Sequence, residues 1–341
     1  MTSTAAAPAP GREFPELAVH RLPTNSTTGR HPVHRWFNFI AGFSPEFVRA
    51  SIQQAGLAAG DRLLDPFAGL GTALLEANWQ GLHASGFEPH PFMFDMATAK
   101  LTTRSPAAAE CVADLLRSLR PVRDLEKVWP VDALRYLHKV VDRGNLELLA
   151  GARLAESACD AAAQPLYRLV VSRLLELAAG AATDGIYKAP TTGKRSVDVA
   201  DGSITVLRQI REDLLSVPIG AGSSRLIPGS AEDMSALKDD SHGIAVTSPP
   251  YLNNFDFAEM TRMELYFWGY ANSWGEITER VRSRLVINTT TAPTKLRRDQ
   301  ERWGSVLSAQ FRDVVDPLRV ALTEQRLTRA GKKEYDSLVY P

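Results

Sequence analysis

Apolar and polar positions follow two alternating periods in the first third of the chain. Short apolar runs at 62–65 and 84–87 predict buried strands, whereas apolar residues at helical spacing predict helices over 72–80 and 92–101. A further helix is expected to begin after Ser44, which is followed by proline and glutamate. Strands that alternate with helices in this way predict a parallel sheet with right-handed crossovers.

The pattern changes to helical spacing alone from about residue 106 to residue 217. Within that stretch, helices are predicted over 107–119, 132–141, 146–163 and 166–179. A stretch rich in Gly, Lys and Thr at 183–195 is expected to be a loop. Strand patterns return at 225–227 and 243–246. Helical spacing follows at 257–270 and from 310 to about 329, without another convincing strand.

These changes divide the chain into four predicted parts. Residues 1–30, rich in Ala, Pro, Ser and Thr, are expected to form a flexible tail. Residues 31–104 and 223–290 form the predicted α/β domain, which a mainly helical insertion at 105–222 interrupts. Residues 291–341 are expected to form a basic loop and a C-terminal helix.

Composition limits the class of protein. Of 341 residues, 44% are hydrophobic, enough for a sizeable core, and 39 basic residues balance 39 acidic ones. A nucleic-acid binder without net charge must cluster its basic groups. Cys111 and Cys159 lack metal-binding spacing, so we expect no metal site and a reducing compartment. With no secretory signal and no apolar run near the roughly 20 residues of a membrane span, we expect a cytoplasmic protein that does not bind a membrane.

The first predicted strand runs into the turn Asp65-Pro-Phe-Ala-Gly-Leu-Gly-Thr72, which opens a helix. Glycines there let the backbone approach a ligand, and the helix start offers free N–H groups. Because the turn begins with an acid and does not read GxGxxG, it suits a positively charged ligand, such as the amino group of a methionine moiety. Glu88, at the tip of the next strand, is placed to accept hydrogen bonds from ribose hydroxyls. Alternatively, the glycines serve a tightly packed turn alone.

The cofactor predicted from these features is S-adenosylmethionine. Ser230 and Glu232 follow the third strand pattern, where an adenine edge is expected, although polar residues there are also ordinary turn residues. The candidate cofactor-binding residues are Asp65, Pro66, Phe67, Ala68, Gly69, Gly71, Thr72, Glu88, Ser230 and Thr247.

A second motif, Thr247-Ser-Pro-Pro-Tyr251, follows the apolar run at 244–246. An aromatic amino group is a poor nucleophile because its lone pair is delocalised, and the Ser248 hydroxyl and Pro249 carbonyl oxygens are suitable acceptors for its hydrogens. The prolines stiffen the loop, and Tyr251 can stack on a base. The nitrogen then attacks a sulfonium methyl in line, once the base has left the duplex. The candidate catalytic residues are Ser248, Pro249, Pro250 and Tyr251; an ordinary proline turn or a polyproline ligand is the alternative.

The two motifs resemble those of the amino-group DNA methyltransferases, which act on cytosine N4 or adenine N6. The turn at 65–72 matches the cofactor loop of that family, Glu88 its ribose-binding acid, and 247–251 its catalytic tetrapeptide with the preceding residue. The resemblance covers about 31–104 and 223–290. It implies a Rossmann-like methyltransferase sheet, S-adenosylmethionine, double-stranded DNA, and a restriction-modification or phage-defence setting. Serine first in the tetrapeptide is typical of N4-cytosine enzymes, so cytosine N4 is the expected target and adenine N6 the alternative.

The resemblance also implies roles for the segments around the motifs. Residues 36–44 look like the family's N-terminal element, which closes over the methionine end, and target recognition often lies in an insertion between the motifs. Two features depart from the family. Ser230 stands where an Asp is frequent, and the family's seven strands, ordered 3-2-1-4-5-7-6, are represented here by four. We therefore expect an exposed edge at the fourth strand, and either a truncated enzyme or a second polypeptide that supplies the missing strands.

Basic residues beside the motifs are candidates for phosphate contacts, although each alone is also typical of a solvated surface. They are Lys188, Lys194, Arg195, Lys295, Arg297 and Arg298. Two further functions remain open: an RNA base methyltransferase, since enzymes acting on guanine N2 use a similar turn and tetrapeptide, and a DNA-binding subunit without catalysis. His34, His90 and His242 lack partners typical of metal sites or triads, so we expect them at the surface or in turns.

Overall fold

The computed structural model describes most of the chain. The described residues are 25–39, 42–183, 188–217, 220–250 and 256–286, with short helical pieces at 312–313, 316–317 and 320–321. The predicted basic loop after residue 290 and most of the predicted C-terminal helix lie outside the described residues.

The strands in the described part of the chain form two sheets. They are β1 Arg62–Asp65, β2 His83–Phe87, β3 Ala181–Thr183, β4 Lys188–Gly193, β5 Ser223–Ile227 and β6 Ile244–Ala245. The larger sheet is parallel and has the order β5-β2-β1-β6. Counted along the chain within this sheet, that order is 3-2-1-4. The Rossmann-like order predicted for the first four strands is confirmed.

Helices surround this sheet and make up the segment between its second and third strands. They are α1 Pro45–Ala55, α2 Thr72–Trp79, α3 Pro91–Thr102, α4 Pro106–Arg117, α5 Val131–Val140, α6 Arg143–Ala155, α7 Gln164–Ala178, α8 Val199–Ser216, α9 Phe257–Met260, α10 Arg262–Trp268 and α11 Trp274–Arg280. The predicted start of α1 is present, because the Ser44 hydroxyl accepts a hydrogen bond from the Phe47 amide at 3.2 Å.

The helical segment packs against helices α3 and α10 and shares the hydrophobic core of the α/β domain. From that segment, the indole nitrogen of Trp129 donates to the carbonyl of Phe267 in α10 at 2.9 Å. In return, the indole nitrogen of Trp268 donates to the hydroxyl of Ser172 in α7 at 2.8 Å. Arg168 of α7 also forms an ion pair with Asp95 of α3. These contacts fix the segment beside the sheet; the domain boundaries given above stay a prediction.

Three predicted elements differ from the structure. The stretch 183–195 was expected to be a loop, but β3 and β4 form an antiparallel hairpin there. A hydrogen bond from the Gly180 amide to the Val140 carbonyl, 2.7 Å long, anchors this hairpin to the end of α5. The helix predicted over 257–270 is two helices, because the backbone of Thr261, at φ −106° and ψ 13°, leaves the helical conformation between them. The helix predicted over 146–163 ends at Ala155 and continues only as a 3-10 turn.

Within the expected tail, the structure describes a 3-10 helix over Asn25–Arg30. The Thr27 hydroxyl holds it by donating to Glu46 of α1 at 2.8 Å. Across the described residues, no helix combines the length and apolarity that a membrane crossing requires. The same residues contain no cluster of three or more His, Cys, Asp or Glu side chains arranged to hold a metal ion.

Candidate functional site

One pocket lies at the carboxyl ends of the parallel strands, and residues from both sequence motifs line it. Its wall includes the turn after β1, the residues after β2 and β5, and the proline segment after β6; these residues are Phe67, Ala68, Gly69, Leu70, Thr72, Glu88, Pro89, His90, Ser230, Ala231, Ser248, Pro249 and Pro250. The enclosed space is about 1200 Å³ with the solvent at its mouth included. Ligand sites of open α/β sheets form at this edge.

The turn between β1 and α2 needs both of its glycines, for different reasons. Gly69 has φ 52° and Gly71 has φ 78°, a region that other residues rarely adopt. A side chain at Gly71 would lie 3.4 Å from the Ala97 side chain, so this glycine packs the turn against α3. A side chain at Gly69 would meet no atom within 4 Å, because that position faces open space in the pocket. Gly69 therefore leaves the backbone accessible to a ligand.

Asp65 ties the two motifs together. It is fully buried, and one carboxylate oxygen accepts the Thr247 hydroxyl at 2.7 Å and the Phe67 amide at 3.1 Å. Its other oxygen has no hydrogen-bond partner among the described atoms, and burial raises the pKa of the carboxyl to about 7. Asp65, Pro66 and Thr247 lie behind the pocket wall, so the structure places them as supports rather than as wall residues.

Glu88 stands in the pocket wall at the tip of β2. One of its carboxylate oxygens accepts the His90 amide at 2.7 Å, which directs the loop towards α3. Burial raises the pKa of Glu88 to about 8, while hydrogen bonds from the backbone of His90 and Gly69 lower it. A carboxylate on the wall, with few donors of its own, is suited to hydroxyl groups of a ligand.

The proline segment reaches the pocket from the neighbouring strand tip. The Val246 amide donates to the Leu64 carbonyl at 2.9 Å, which extends the pairing of β6 with β1 up to the motif. Ser248 is half-buried in the wall, and Pro249 is exposed beside it. Tyr251 lies outside the described residues.

Ser230 also lines the pocket, in the turn after β5. Its hydroxyl accepts the Glu232 amide at 3.2 Å, and Glu232 itself is exposed. Ser230 therefore lines the pocket and shapes this turn, and its contact with an adenine edge stays a prediction.

The candidate phosphate contacts lie away from this wall where they are described. The ammonium group of Lys194 donates to the Glu176 carbonyl at 2.6 Å, near the end of α7. Arg195 is exposed, and Lys188 belongs to β4, with its side chain outside the described part. Lys295, Arg297 and Arg298 also lie outside the described residues.

Two histidines expected at the surface or in turns are buried. His34 and His90 are each about 1% exposed. Nδ1 of His90 accepts the Met93 amide at 3.4 Å, so the proton is on Nε2, which donates to the Thr261 hydroxyl at 2.9 Å. Burial lowers the pKa of His90 to about 3 and keeps the ring neutral. His90 joins the part of the pocket wall after β2 to the helices after the proline segment. The sequence signal for this residue was its position directly before Pro91, at the start of α3.

Sequence reasoning also missed Lys100, Asp256 and Phe257, which line the pocket. Nothing local marks them: Lys100 occurs in an apolar helix, and Asp256 caps α9 by accepting the Ala258 amide at 3.1 Å. In contrast, residues from the segment predicted to close over a cofactor, Asn38, Phe39, Gly42 and Phe43, do line the pocket.

The residues present fit a nucleoside-bearing ligand. The wall is mostly apolar, with a few placed polar groups, as is usual for cofactor sites. Glu88 offers a carboxylate for hydroxyls, and Gly69 leaves the backbone open. The unpartnered oxygen of Asp65 adds a buried polar atom beside the turn.

Comparisons with known proteins agree with this fit. The family model described as RMKL-like, methyltransferase domain, matches residues 32–120. The chain is 23% identical to Type II methyltransferase M.BsoBI of Geobacillus stearothermophilus over 312 residues, 75% of this chain and 57% of that protein. Over these residues the chain is similar to methyltransferases.

Two shorter matches are to a second Type II methyltransferase and to a tRNA methyltransferase. It is 38% identical over 60 residues to Type II methyltransferase M.AvaI of Nostoc sp., 18% of this chain and 12% of that protein. It is 40% identical over 55 residues to a tRNA (guanine(10)-N2)-dimethyltransferase of Methanothermobacter thermautotrophicus, 16% of each protein. The chain therefore spans little more than half of M.BsoBI and a smaller part of the other two.

Proposed function

We propose that this chain is an S-adenosylmethionine-dependent DNA methyltransferase that modifies the N4 amino group of cytosine. The observation that carries the proposal is the single pocket lined by the glycine turn and by Ser248, with the Asp65–Thr247 hydrogen bond joining the two segments behind it. The M.BsoBI match over 75% of this chain supports DNA as the substrate. The names of both Type II relatives support a restriction-modification setting.

Glu88 and the turn are the proposed cofactor contacts. Glu88 would accept hydrogen bonds from the ribose hydroxyls, the open backbone at Gly69 would pass beside the ligand, and Ser230 would face the adenine. When bound, S-adenosylmethionine supplies a methyl group on a positively charged sulfur. The buried Asp65 carboxyl would add negative charge when ionised, a form that a positively charged ligand nearby would favour.

Ser248 and Pro249 are the proposed catalytic groups. Their hydroxyl and carbonyl oxygens accept the two hydrogens of the amino group, which frees the nitrogen lone pair. Bound S-adenosylmethionine would supply the methyl group to this nitrogen and keep the electron pair of the broken sulfur–carbon bond, and the nitrogen would release a proton to water. Catalysis rests on positioning, and the Thr247 bond to Asp65 fixes where Ser248 stands relative to the turn.

An RNA guanine methyltransferase is the second candidate, favoured by the 40% identity to the tRNA enzyme over 55 residues. Adenine N6 remains the alternative DNA target. Serine rather than Asp or Asn at position 248 favours cytosine.

A second polypeptide beside β6 is also part of the proposal. In the described sheet, β6 pairs only with β1, and its residue Ala245 is exposed. A strand edge of this kind offers backbone groups to another strand. Activity that rises on addition of the neighbouring gene product would support this; equal activity with and without it would contradict it.

Arg195 is the clearest described candidate for a phosphate contact, because it is exposed. Charge reversal, Arg195→Glu, should weaken DNA binding at low salt and reduce its salt dependence. Arg117→Glu, at an exposed residue of α4, is the control. Equal losses for both variants would mean that position 195 has no special role.

The substrate test uses methyl-labelled S-adenosylmethionine with duplex DNA or tRNA, followed by mass spectrometry of the nucleosides. Labelled N4-methyldeoxycytidine is the expected product. Labelled N6-methyldeoxyadenosine would show that the target base is adenine rather than cytosine. Labelled N2-methylguanosine in RNA would favour the RNA guanine methyltransferase. No label in DNA or in tRNA would contradict both candidate functions. Ser248→Ala should abolish transfer, whereas Ser241→Ala, outside the pocket wall, should leave it unchanged.

A further inference from the structure

Residues 25–39, called here the cap segment, form one side of the pocket. Thr28, Asn38 and Phe39 line it. The Thr28 hydroxyl is buried and has no hydrogen-bond partner among the described atoms, so it presents a free polar atom to a ligand. The cap segment thus contributes both surface and a potential hydrogen bond to the site.

A carboxylate from α8 holds the cap segment. Asp213, about 1% exposed, accepts the Val33 amide, the Arg35 side chain and the Trp36 indole nitrogen, each at 3.0 Å. Val33 has φ 64°, which is rare for a β-branched residue and costs about 1–3 kcal/mol. Such a conformation persists only where its surroundings hold it, and Asp213 bonds the amide of that same residue.

A buried lysine holds the cap segment from the other side. The amino group of Lys100 in α3 donates to the His34 carbonyl at 3.0 Å and to the Phe37 carbonyl at 2.6 Å. Lys100 also lines the pocket, and the His34 ring contacts Glu76 of α2 at 2.9 Å. Of these groups, only Asp213 comes from the helical segment between the motifs.

We propose that Asp213 is a positioning residue that keeps the cap segment closed on the cofactor, so that α8 sets the affinity for S-adenosylmethionine. This inference rests on the proposed function. Without the carboxylate, the Val33 amide and the Trp36 indole lose their acceptor in a buried place, and the strained backbone loses its support. Asp213 itself lies outside the pocket wall, so its effect passes through Thr28, Asn38 and Phe39.

The test compares Asp213→Ala and Asp213→Asn with Glu212→Gln, a variant of the exposed acid next to it. Calorimetric titration with S-adenosylmethionine should show about tenfold weaker binding for Asp213→Ala, a smaller loss for Asp213→Asn and less than a twofold change for Glu212→Gln. At saturating cofactor, the turnover rate should change much less than the KM for the cofactor. Thr28→Val should weaken binding about fivefold without releasing the cap segment.

Hydrogen exchange provides a readout that does not depend on the cofactor. Amides of residues 33–39 should exchange faster in Asp213→Ala, while those of β1 and β2 keep wild-type protection. Unchanged affinity, or unchanged exchange of residues 33–39, would overturn the inference, as would loss of protection throughout the sheet. A wild-type chain that does not bind S-adenosylmethionine would instead refute the proposed function, and the exchange result would still decide whether Asp213 holds the cap segment.

Discussion

Replacing Glu88 with Gln has opposite expected effects on the stability of the protein and on its affinity for the cofactor. Glu88 is about 8% exposed, and burial raises its pKa from 4.5 to about 8. The folded protein therefore keeps a proton on Glu88 between these pH values that the unfolded chain has released. Without ligand, this group lowers the free energy of unfolding as pH rises from about 4.5 to 8, and its effect levels off above that.

The size of the effect follows from the pKa change. Each tenfold change in proton affinity is about 1.4 kcal/mol, so a change from 4.5 to about 8 corresponds to an upper limit of about 5 kcal/mol above pH 8. Gln is neutral at every pH, and its side-chain oxygen can still accept the hydrogen bond from the His90 amide. Its NH2 group, however, has no acceptor in the buried site, and an unsatisfied donor costs about 1–3 kcal/mol of stability. We expect Glu88→Gln to be about 2 kcal/mol more stable than wild type at pH 9 and no more stable at pH 4.

Urea unfolding followed by circular dichroism at pH 4, 7 and 9, without ligand, measures this difference. Glu126→Gln, at an exposed site, should leave stability unchanged at every pH. At pH 9, where Glu88 is charged, the same Glu88→Gln variant should bind S-adenosylmethionine at least about tenfold more weakly than wild type, because it loses the charged acceptor for the ribose. A stability difference independent of pH would refute the reasoning about the buried charge, and unchanged affinity would refute the ribose role.

Two further substitutions test the supports of the site. Gly86→Ala places a methyl group 2.8 Å from the Leu74 side chain and 3.1 Å from the Asp65 carbonyl. It should therefore lower the free energy of unfolding in urea by about 1–3 kcal/mol and weaken cofactor binding. Gly229→Ala, where the nearest atom is 4.0 Å away, should do neither, and equal effects of the two variants would rule out the packing argument. Thr247→Val removes the donor to Asp65, so it should cost about 1–3 kcal/mol and reduce methyl transfer more than cofactor binding. Thr247→Ser should restore transfer, and a Val variant with full activity would show that the bond does not position Ser248.

Local sequence was sufficient to predict the elements that form the pocket. The apolar run at Arg62–Asp65 forms β1 over the same residues, and the glycine turn follows it into α2. These elements are decided by short-range signals: buried apolar runs, glycines at positive φ and a polar residue before Pro45. Because parallel strands end at one edge, placing both motifs at strand ends also predicted that they would meet.

Contacts between distant parts of the chain were not predictable in this way. Asp213 and Trp36 are 177 positions apart, and Asp213 occurs in a charged stretch of a helix, where an exposed side chain is the ordinary expectation. Lys100 is similar, since its burial depends on two carbonyls from another segment. The hairpin of β3 and β4 was missed because Gly, Lys and Thr favour turns locally, whereas its pairing depends on packing beside α5 and α7.

Calorimetric titration with S-adenosylmethionine, comparing wild type, Glu88→Ala and Ser248→Ala, tests the central claim most directly. The account predicts one site per chain in wild type, loss of binding in Glu88→Ala, and near-normal binding in Ser248→Ala although that variant transfers no methyl group. Absence of binding to wild type, or equal loss of binding in both variants, would contradict a pocket in which the turn holds the cofactor and the proline segment holds the base.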